Sequence, residues 1–260
     1  MKRRSRRNLL IAAAAAMGAL LVCDAAAQER CKLTAIGTAN VDVVRDGRTL
    51  LLADGRELRL AAIEVADGSR AALQALVAGH PLQLERLGSE RLGPEHDRYG
   101  RLVAFVFIGD DQQSVQQAML EQGHARVSAR VGDKACADTL LSAERVARAA
   151  RRGLWADPNF APLSAENLTR LQAERGRFAL VEGKVLSVRE SGATIYVNFG
   201  RRWTRDFTVI ILRRMSRAFA AAGIEPKKLE GRRIRVRGWL EQRGGPIITA
   251  EAPEQIEFAE

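Results

Sequence analysis

Residues 43–67 read VVRDGRTLLLADGRELRLAAIEVAD, and this stretch decides the fold that the sequence predicts. Two Asp-Gly pairs, at positions 46–47 and 54–55, separate runs of valine and leucine. An Asp-Gly pair between apolar runs is a strong signal for a β-hairpin. We therefore expect short strands joined by tight turns throughout residues 33–67.

Further elements follow along the chain. The segments PLQLERL (81–87) and RLVAFVF (101–107) have the alternation and apolar content of strands. Apolar residues at helical spacing predict helices at 69–78, 114–121 and 138–152, and Gly79 and Gly153 follow the first and the last of them. Pro, Asn and Ser concentrate in residues 156–176, which predicts a linker.

After this linker the strand pattern returns. Strands are expected in ALVEGKVLSV, TIYVNF and DFTVIIL, then a helix at 213–223, then strands in RIRVRGWL, PIITA and QIEF. This element order is typical of a small OB-type barrel. The predicted class is mainly β with α (α+β), with two OB-type barrels. The predicted domains are a signal peptide at 1–27, a first domain at 28–157, a linker at 158–176 and a basic OB-like domain at 177–260.

The N-terminus has the layout of an export signal. Five of the first seven residues are Lys or Arg, an apolar run of 14 residues (9–22) follows, and AAAQ offers a cleavage site after Ala27. The run is too short for a comfortable membrane span, and SRRNLL fits the twin-arginine pattern. We expect export to the periplasm or the exterior. The alternative is an uncleaved amphipathic segment that anchors the protein at the membrane.

The cysteines agree with export. Cleavage after Ala27 leaves Cys31 and Cys136. An even number of cysteines in an exported chain indicates a disulfide. We expect one between Cys31 and Cys136, with two unpaired thiols as the alternative.

Basic charge is concentrated in the last third of the chain. Residues 175–260 contain 17 basic and 10 acidic residues, against 19 and 20 in residues 28–174. Such a region attracts polyanions, above all nucleic acid. Period-2 spacing predicts one strand face with three arginines and a tryptophan, and Tyr196 is expected on the polar side of its own strand; the candidate nucleic-acid residues are Arg233, Arg235, Arg237, Trp239 and Tyr196. The alternative is a solvated face whose tryptophans pack on a barrel end or on the other domain.

Five segments resemble the thermonuclease family, the staphylococcal-nuclease-like domains, and they occur in the family's order within residues 33–157. They are VVRDGRTLLL, LRLAAIEVAD, HDRYGRLVAFVF, SVQQAMLEQGHARV and ADTLLSAERVARAARRGLWAD. The resemblance implies a five-stranded OB-type barrel with three helices. It also implies calcium-dependent phosphodiester hydrolysis, with two arginines on the phosphate and a carboxylate base for water.

The phosphate half of the family site carries over. Arg59 and Arg101 match the two family arginines, and Asp97 and Tyr99 match the turn that precedes the second. Arginine makes paired hydrogen bonds to phosphate oxygens, so the resemblance implies a retained phosphate site. The proposed base falls at Asp67, one methylene shorter than the family glutamate.

The metal half does not carry over unchanged. The first metal aspartate of the pattern falls at Arg48 and the second at Glu64, while Asp46 matches the aspartate that opens the turn. Two hypotheses follow: either the Arg48 guanidinium replaces the ion and pairs with Glu64, or Arg48 points into solvent beside an inactive pocket. A third is that Asp46 rescues metal binding while Arg48 swings away.

The leading functional hypothesis is binding of nucleic acid or another phosphate polyanion without efficient hydrolysis, through Arg48, Arg59 and Arg101. Binding of this kind needs no cofactor. The enzyme alternative is an active nuclease with calcium held by Asp46 and Glu64, and with Arg59, Arg101 and Asp67 as catalytic residues. A scaffold in the cell envelope that binds protein or glycan is the third possibility.

Overall fold

A computed structural model describes residues 31–87 and 96–259 of the 260-residue chain. The predicted signal peptide at residues 1–27 lies outside these residues. In the described part, no helix combines the length and the apolar character that crossing a membrane would require.

The first half combines short strands with three helices. The apolar runs on either side of each Asp-Gly pair form strands, as the turn chemistry predicts. The elements are β1 (Leu33–Ala39), β2 (Val41–Val44), β3 (Thr49–Leu52), β4 (Glu57–Leu60), β5 (Ile63–Val65), α1 (Ser69–Val77), β6 (Leu82–Leu87), β7 (Leu102–Ile108), α2 (Val115–Glu121), β8 (Ala125–Val127) and α3 (Lys134–Ala149).

Six of these strands form one sheet in the order β1-β6-β7-β4-β3-β2, and β5 pairs antiparallel with β8. The apolar sides of the strands and helices meet in one buried cluster, which includes Leu50, Leu58, Leu73, Val106 and Met119. The predicted α+β class and the three helices of this half are confirmed. The third helix begins at Lys134 rather than at 138, because the Asp133 side chain accepts a hydrogen bond from the Cys136 N–H and caps the helix there.

The predicted disulfide is confirmed. Cys31 and Cys136 are bonded, across a sequence separation of 105 residues. The bond attaches the start of the described chain to the first turn of α3.

The second half contains two sheets. Its elements are β9 (Leu163–Ser164), α4 (Leu168–Ala173), β10 (Phe178–Lys184), β11 (Ser187–Ser191), β12 (Thr194–Asn198), β13 (Thr208–Leu212), α5 (Ser216–Ala221), β14 (Arg233–Trp239), β15 (Glu241–Arg243), β16 (Gly245–Ala250) and β17 (Ile256–Phe258). The strand orders are β17-β14-β10-β9 and β11-β12-β13-β16-β15. Both sheets contribute to a second buried cluster. The OB-type topology of this half stays a prediction.

The predicted linker at 158–176 is not a free connection. Its strand β9 pairs in parallel with β10, and Ala165 and Leu171 are buried in the second apolar cluster. The Pro and Asn residues of this segment begin short helices within a folded region. Pro158 is at the start of a short 3-10 helix, and the Asn167 side chain caps α4. A boundary at 176 therefore cuts through the second core.

The two halves pack against each other. Leu154 and Trp155, just after α3, share an apolar cluster with Phe178 and Leu180 of β10. Beside this cluster, the buried Arg237 of β14 forms ion pairs that cross from one half to the other. The structure is therefore two cores joined by a buried contact.

Candidate phosphate-binding site

Arg48 lies in the turn between β2 and β3. The Asp46 carboxylate accepts a hydrogen bond from the Arg48 backbone N–H at 2.8 Å, which closes the turn. Gly47 allows the turn to approach α1, since a Cβ at this position would lie 2.6 Å from the Ser69 Cβ. The turn therefore holds the Arg48 side chain near β5.

Glu64 of β5 is the carboxylate on which this site is centred. Its Oε2 forms a short ion pair with Arg48 Nη1, and its Oε1 lies 3.5 Å from Arg59 Nη2. Both oxygens of Glu64 therefore face a guanidinium group. Of the alternatives for Arg48, the structure shows the one in which the side chain pairs with Glu64.

Arg59 of β4 is partly buried beside Arg48. Thr49 pairs with Arg59 across β3 and β4, and Leu60 donates its backbone N–H to the Arg48 carbonyl, so Arg48 and Arg59 are neighbours. Burial lowers the pKa of Arg59; the nearby cations Arg48 and Arg101 lower it as well, against Glu64 and Asp97. The Arg59 Nε is buried and makes no hydrogen bond to the described residues.

Arg101 is held by the turn that precedes β7. Its Nε and Nη2 lie 2.8 and 2.7 Å from Asp97 Oδ2, and the guanidinium stacks near the Tyr99 ring. Burial by itself would raise the pKa of Asp97. Hydrogen bonds from the Arg101 side chain and from the backbone N–H groups of Tyr99 and Arg101 outweigh it and hold this pKa below its ordinary value of 3.8.

The carboxylates do not fit a calcium ion. Calcium requires six to eight oxygen ligands. Both Glu64 oxygens are engaged by arginines, and Asp46 is used to close its turn. Among the described residues, the one group of three potential ligands that converge within 4.8 Å is Cys31, Asp133 and Cys136, and its cysteines are joined in the disulfide. Asp46, Glu64 and Asp67 form no such group.

A groove between the two halves begins at this site. This interdomain groove has a volume of about 710 Å³ and is lined by Arg48, Glu64 and Asp67 on one side and by Phe178 and Trp239 on the other. The predicted base Asp67 is exposed there, two residues after the end of β5. Trp239, predicted to contact nucleic acid, thus lines the same groove as the nuclease-like residues.

Arg126 of β8 is a residue of this groove that the sequence reading missed. It pairs with Glu64 across β5 and β8, and its guanidinium lies 5.5 and 5.1 Å from the ring centroids of Phe160 and Phe178. Burial lowers the pKa of Arg126, while the carboxylates of Glu144 and Glu64 oppose that effect. Its neighbours Ala125 and Val127 are buried, so alternation indicated only that Arg126 faces away from the first core.

The arginines of β14 do not form the solvent-facing nucleic-acid surface that their period predicts. Arg233 Nε lies 2.8 Å from Glu182 Oε1, and Arg235 pairs with the other oxygen of the same carboxylate. Burial would raise the pKa of Glu182, but hydrogen bonds from Arg233 and Arg235 outweigh it and lower this pKa. Both arginines therefore already have an anionic partner on β10.

Arg237, unlike Arg233 and Arg235, is almost completely buried. It is 1% exposed, its Nη1 and Nη2 lie 2.8 and 3.0 Å from the two oxygens of Glu144, and Nη2 also binds Glu257. Burial would lower the pKa of Arg237, but Glu144 and Glu257 outweigh burial and raise it. A side chain this enclosed is not available to nucleic acid, so the prediction for Arg237 is wrong. The period-2 spacing correctly predicted that Arg237 and Arg235 lie on the same face of β14. At Arg237, however, this face is covered by α3.

Tyr196 lies on another surface. Its strand β12 belongs to the five-stranded sheet, whereas β14 belongs to the four-stranded one. The five predicted nucleic-acid residues therefore do not share one surface. Trp239 lines the interdomain groove, Arg233 and Arg235 are paired with Glu182, Arg237 is buried, and Tyr196 lies on the outer side of a separate sheet.

Part of the chain matches a known protein family. Residues 55–157 match the family model of the staphylococcal nuclease homologues. The match includes Arg59, Glu64, Asp67 and Arg101, and begins after Asp46 and Arg48. A search of the curated proteins finds no match. The matched residues include strands β4 to β8, helices α1 to α3, Arg59 and Arg101, so residues 55–157 of this chain are similar to a staphylococcal nuclease homologue domain.

Proposed function

We propose that the protein binds nucleic acid or another phosphate-bearing polyanion at Arg48, Arg59 and Arg101, without efficient phosphodiester hydrolysis. One observation carries the proposal: both oxygens of Glu64 face arginines, so guanidinium groups surround the carboxylate that would otherwise serve a metal ion. The buried Arg59 Nε, which has no hydrogen-bond partner among the described residues, is a donor that a phosphate oxygen can satisfy.

The electrostatics favour an anion over a cation at this place. One unit-charge interaction at about 4 Å amounts to roughly 4 kcal/mol at an effective dielectric constant of 20. A calcium ion next to Arg48 would experience this as repulsion, whereas a phosphate would experience it as attraction. The base is also displaced: Asp67 is shorter than the family glutamate, and a positioning error near 1 Å reduces a rate by about a hundredfold.

We also propose that the protein works outside the cytoplasm. The basic, apolar and small-residue pattern of residues 1–27 motivates this, and the Cys31–Cys136 disulfide supports it, because such bonds persist in oxidising compartments.

The test is a binding and cleavage assay on the full-length protein. Labelled single-stranded DNA and RNA are titrated between about 50 and 200 mM salt, with calcium and with chelator. We expect binding that survives chelator, weakens steeply with salt, and is not accompanied by cleavage. Arg59→Gln and Arg101→Gln should each reduce the salt slope by about 0.7, the value for one contact on a single strand.

Arg56→Gln is the matched control, since it removes one positive charge from the β3–β4 turn of the same domain. Its affinity should stay close to that of the parent. Calcium-dependent cleavage abolished by Arg59→Ala would overturn the proposal in favour of a nuclease. Binding that ignores salt would overturn it in favour of an envelope scaffold, and binding unchanged in the Arg59 and Arg101 variants would show that this pocket is not the site.

A further inference from the structure

The outer side of the five-stranded sheet carries a second concave surface, away from the interdomain groove. Alternation along β12 and β13 sends Ile195, Val197 and Val209 into the second core and leaves Tyr196 and Ile210 on the outer side. A groove of about 940 Å³ lies over this side. We call its lining the β12 face and define it by Arg189, Tyr196, Arg201, Trp203 and Arg243.

Strand register orders the floor of the β12 face. Arg189 of β11 pairs with Tyr196 of β12, which pairs with Ile210 of β13. In the neighbouring row, Thr208 Oγ1 donates to Asn198 Oδ1 at 3.2 Å, so these two buried polar groups satisfy each other. The floor is thus a sheet surface on which the half-buried side chains of Tyr196 and Ile210 lie next to each other.

The loop between β12 and β13 adds a second aromatic ring. Trp203 is 68% exposed, which is unusual for the largest apolar side chain. The loop is ordered: Asp206 Oδ2 accepts the Arg202 backbone N–H at 2.8 Å, and the Arg205 and Asp206 N–H groups bind the Arg202 carbonyl. Exposure of Trp203 is therefore built into a defined turn that borders the same groove as Tyr196.

The β12 face is positively charged, and some of its arginines have no ion-pair partner among the described residues. Three arginines line the groove against one acid, Glu190. The guanidinium groups of Arg189 and Arg201 form no hydrogen bond or ion pair with the described residues, whereas Arg243 pairs with Glu241 at 3.0 Å. These two arginines lie beside the exposed ring of Trp203 and the half-buried ring of Tyr196, an arrangement complementary to a ligand that carries both phosphates and flat bases.

We propose that the β12 face binds single-stranded nucleic acid, with bases stacked on Trp203 and Tyr196 and phosphates on Arg189 and Arg201. Stacking on a protein ring requires unpaired bases, which selects single strands over duplexes. The inference deepens the proposed function and rests on it in one respect, that phosphate polyanions are the ligands. The surface itself belongs to a different domain from the Arg48–Arg59–Arg101 site.

Tryptophan fluorescence can observe this face separately. The chain has three tryptophans: Trp155 is 6% exposed, Trp239 is 50% exposed and lines the interdomain groove, and Trp203 is 68% exposed. In full-length Trp239→Phe protein, Trp203 is the remaining exposed tryptophan. We expect a thymidine oligonucleotide of roughly ten residues to quench its emission saturably and in a salt-sensitive manner. Protein that carries Trp203→Phe together with Trp239→Phe retains only the buried Trp155 and should lose this quenching.

Substitution of the arginines of the β12 face tests the proposal independently of the tryptophan variants. In the Trp239→Phe background, Arg189→Gln combined with Arg201→Gln should raise the Kd for quenching about tenfold or more, given that each 1.4 kcal/mol changes Kd tenfold. Arg214→Gln combined with Arg217→Gln is the matched control. These two arginines are exposed in the same domain, outside the β12 face, and their loss should change the Kd by less than about threefold.

The outcomes separate this inference from the proposed function. Quenching of Trp203 that persists in Arg59→Gln and Arg101→Gln protein supports the β12 face whatever happens to the first site. Oligonucleotide binding detected by anisotropy without quenching of Trp203 overturns the β12 face and leaves the first site standing. Equal quenching by the matched duplex, or quenching by a neutral oligosaccharide in place of the oligonucleotide, also overturns it.

Discussion

At the scale of single residues, the decisive feature is the pair of guanidinium groups on Glu64. Each oxygen of this carboxylate faces a cation, so neither oxygen is free for a metal ion. Removing one of those cations and adding a carboxylate in its place should reverse the preference of the site. Arg48 is the residue at which this exchange is possible, because it lies in a turn and not in the core.

We expect Arg48→Asp protein to gain calcium affinity. The change releases Glu64 and adds an anionic ligand beside it. Calcium should raise the Tm of this variant by roughly 3 °C for each kcal/mol of binding free energy, as for a chain of this size, and should leave the Tm of the parent unchanged.

Arg48→Gln is the control for the Arg48→Asp experiment, since it removes the cation without supplying a ligand. Its Tm should not respond to calcium. A calcium response of the parent protein, or none in Arg48→Asp, would contradict the assignment of this turn to the former metal position.

Some functional residues could be predicted from the sequence, whereas the orientation of others could not. Arg59 and Arg101 could be identified because the segments around them resemble the motifs of the thermonuclease family, and in the structure Arg59 interacts electrostatically with Arg48, Arg101 and Asp97. The direction of Arg48 could not, since a turn residue has several rotamers open to it and the partner is 16 positions away. Arg126 was missed because its significance depends on the pairing of β5 with β8.

At the scale of elements, local signals predicted many of the strands and both ends of α1 and α2 to within one residue, and long-range contacts decided the rest. The helix start at Lys134 was missed since both Asp133 and Asp138 are suitable caps, and the choice depends on the fold around Cys136. The sequence of 156–176 signalled turns correctly, but it could not show that β9 would find β10 as a partner.

One close approach between elements gives a sharp prediction. Gly123 after α2 has φ 76°, and a Cβ there would lie 2.1 Å from the Arg152 carbonyl oxygen after α3. Gly123→Ala should therefore lower the free energy of unfolding by about 3 kcal/mol, the upper part of the usual range, because backbone strain and a clash between two backbones add.

Gly79→Ala separates these two contributions to the effect at Gly123. Gly79 has a similar φ of 74° but open space around the position of a Cβ. Its cost should be about 1 kcal/mol, which is that of strain alone. Urea unfolding of both variants measures the difference. Equal losses would mean that the contact between the ends of α2 and α3 is not tight.

At the scale of the whole molecule, the interface between the domains is both apolar and ionic. Arg237 reaches Glu144 of α3 and Glu257 of β17, and Arg148 of α3 also approaches Glu257 at 3.4 Å. Burial would raise the pKa of Glu257, but Arg237 and Arg148 outweigh it and hold this pKa below its ordinary value of 4.5. A carboxyl whose pKa is depressed on folding stabilises the folded state above its unfolded pKa.

The contribution of Glu257 should therefore be complete at neutral pH and disappear as the pH falls from about 4.5 through the lower pKa of the folded state. We expect Glu257→Gln to lower the free energy of unfolding at pH 7 by about 1–3 kcal/mol, since it leaves part of a buried cation uncompensated. The difference from the parent should shrink as the pH is lowered towards 3.

Glu225→Gln is the comparison for the Glu257→Gln experiment. Glu225 forms an exposed pair with Lys228, and its loss should change the free energy of unfolding by no more than about 0.5 kcal/mol at any pH. Denaturant titrations at several pH values test both variants. A loss at Glu257 that does not vary with pH would mean that its charge does not contribute.

The buried Arg237 contact has a consequence for avidity. It buries an ionic contact between the domains, so we expect the interdomain groove and the β12 face to keep one separation and one orientation. If both surfaces bind a polymer as proposed, a polymer held at the first surface would be presented to the second at a high effective concentration, without the cost of ordering a flexible linker. A strand long enough to reach both surfaces would then bind more tightly than either surface binds alone. A strand too short to reach both would bind at only one of them, so the two proposals together predict that affinity rises with ligand length.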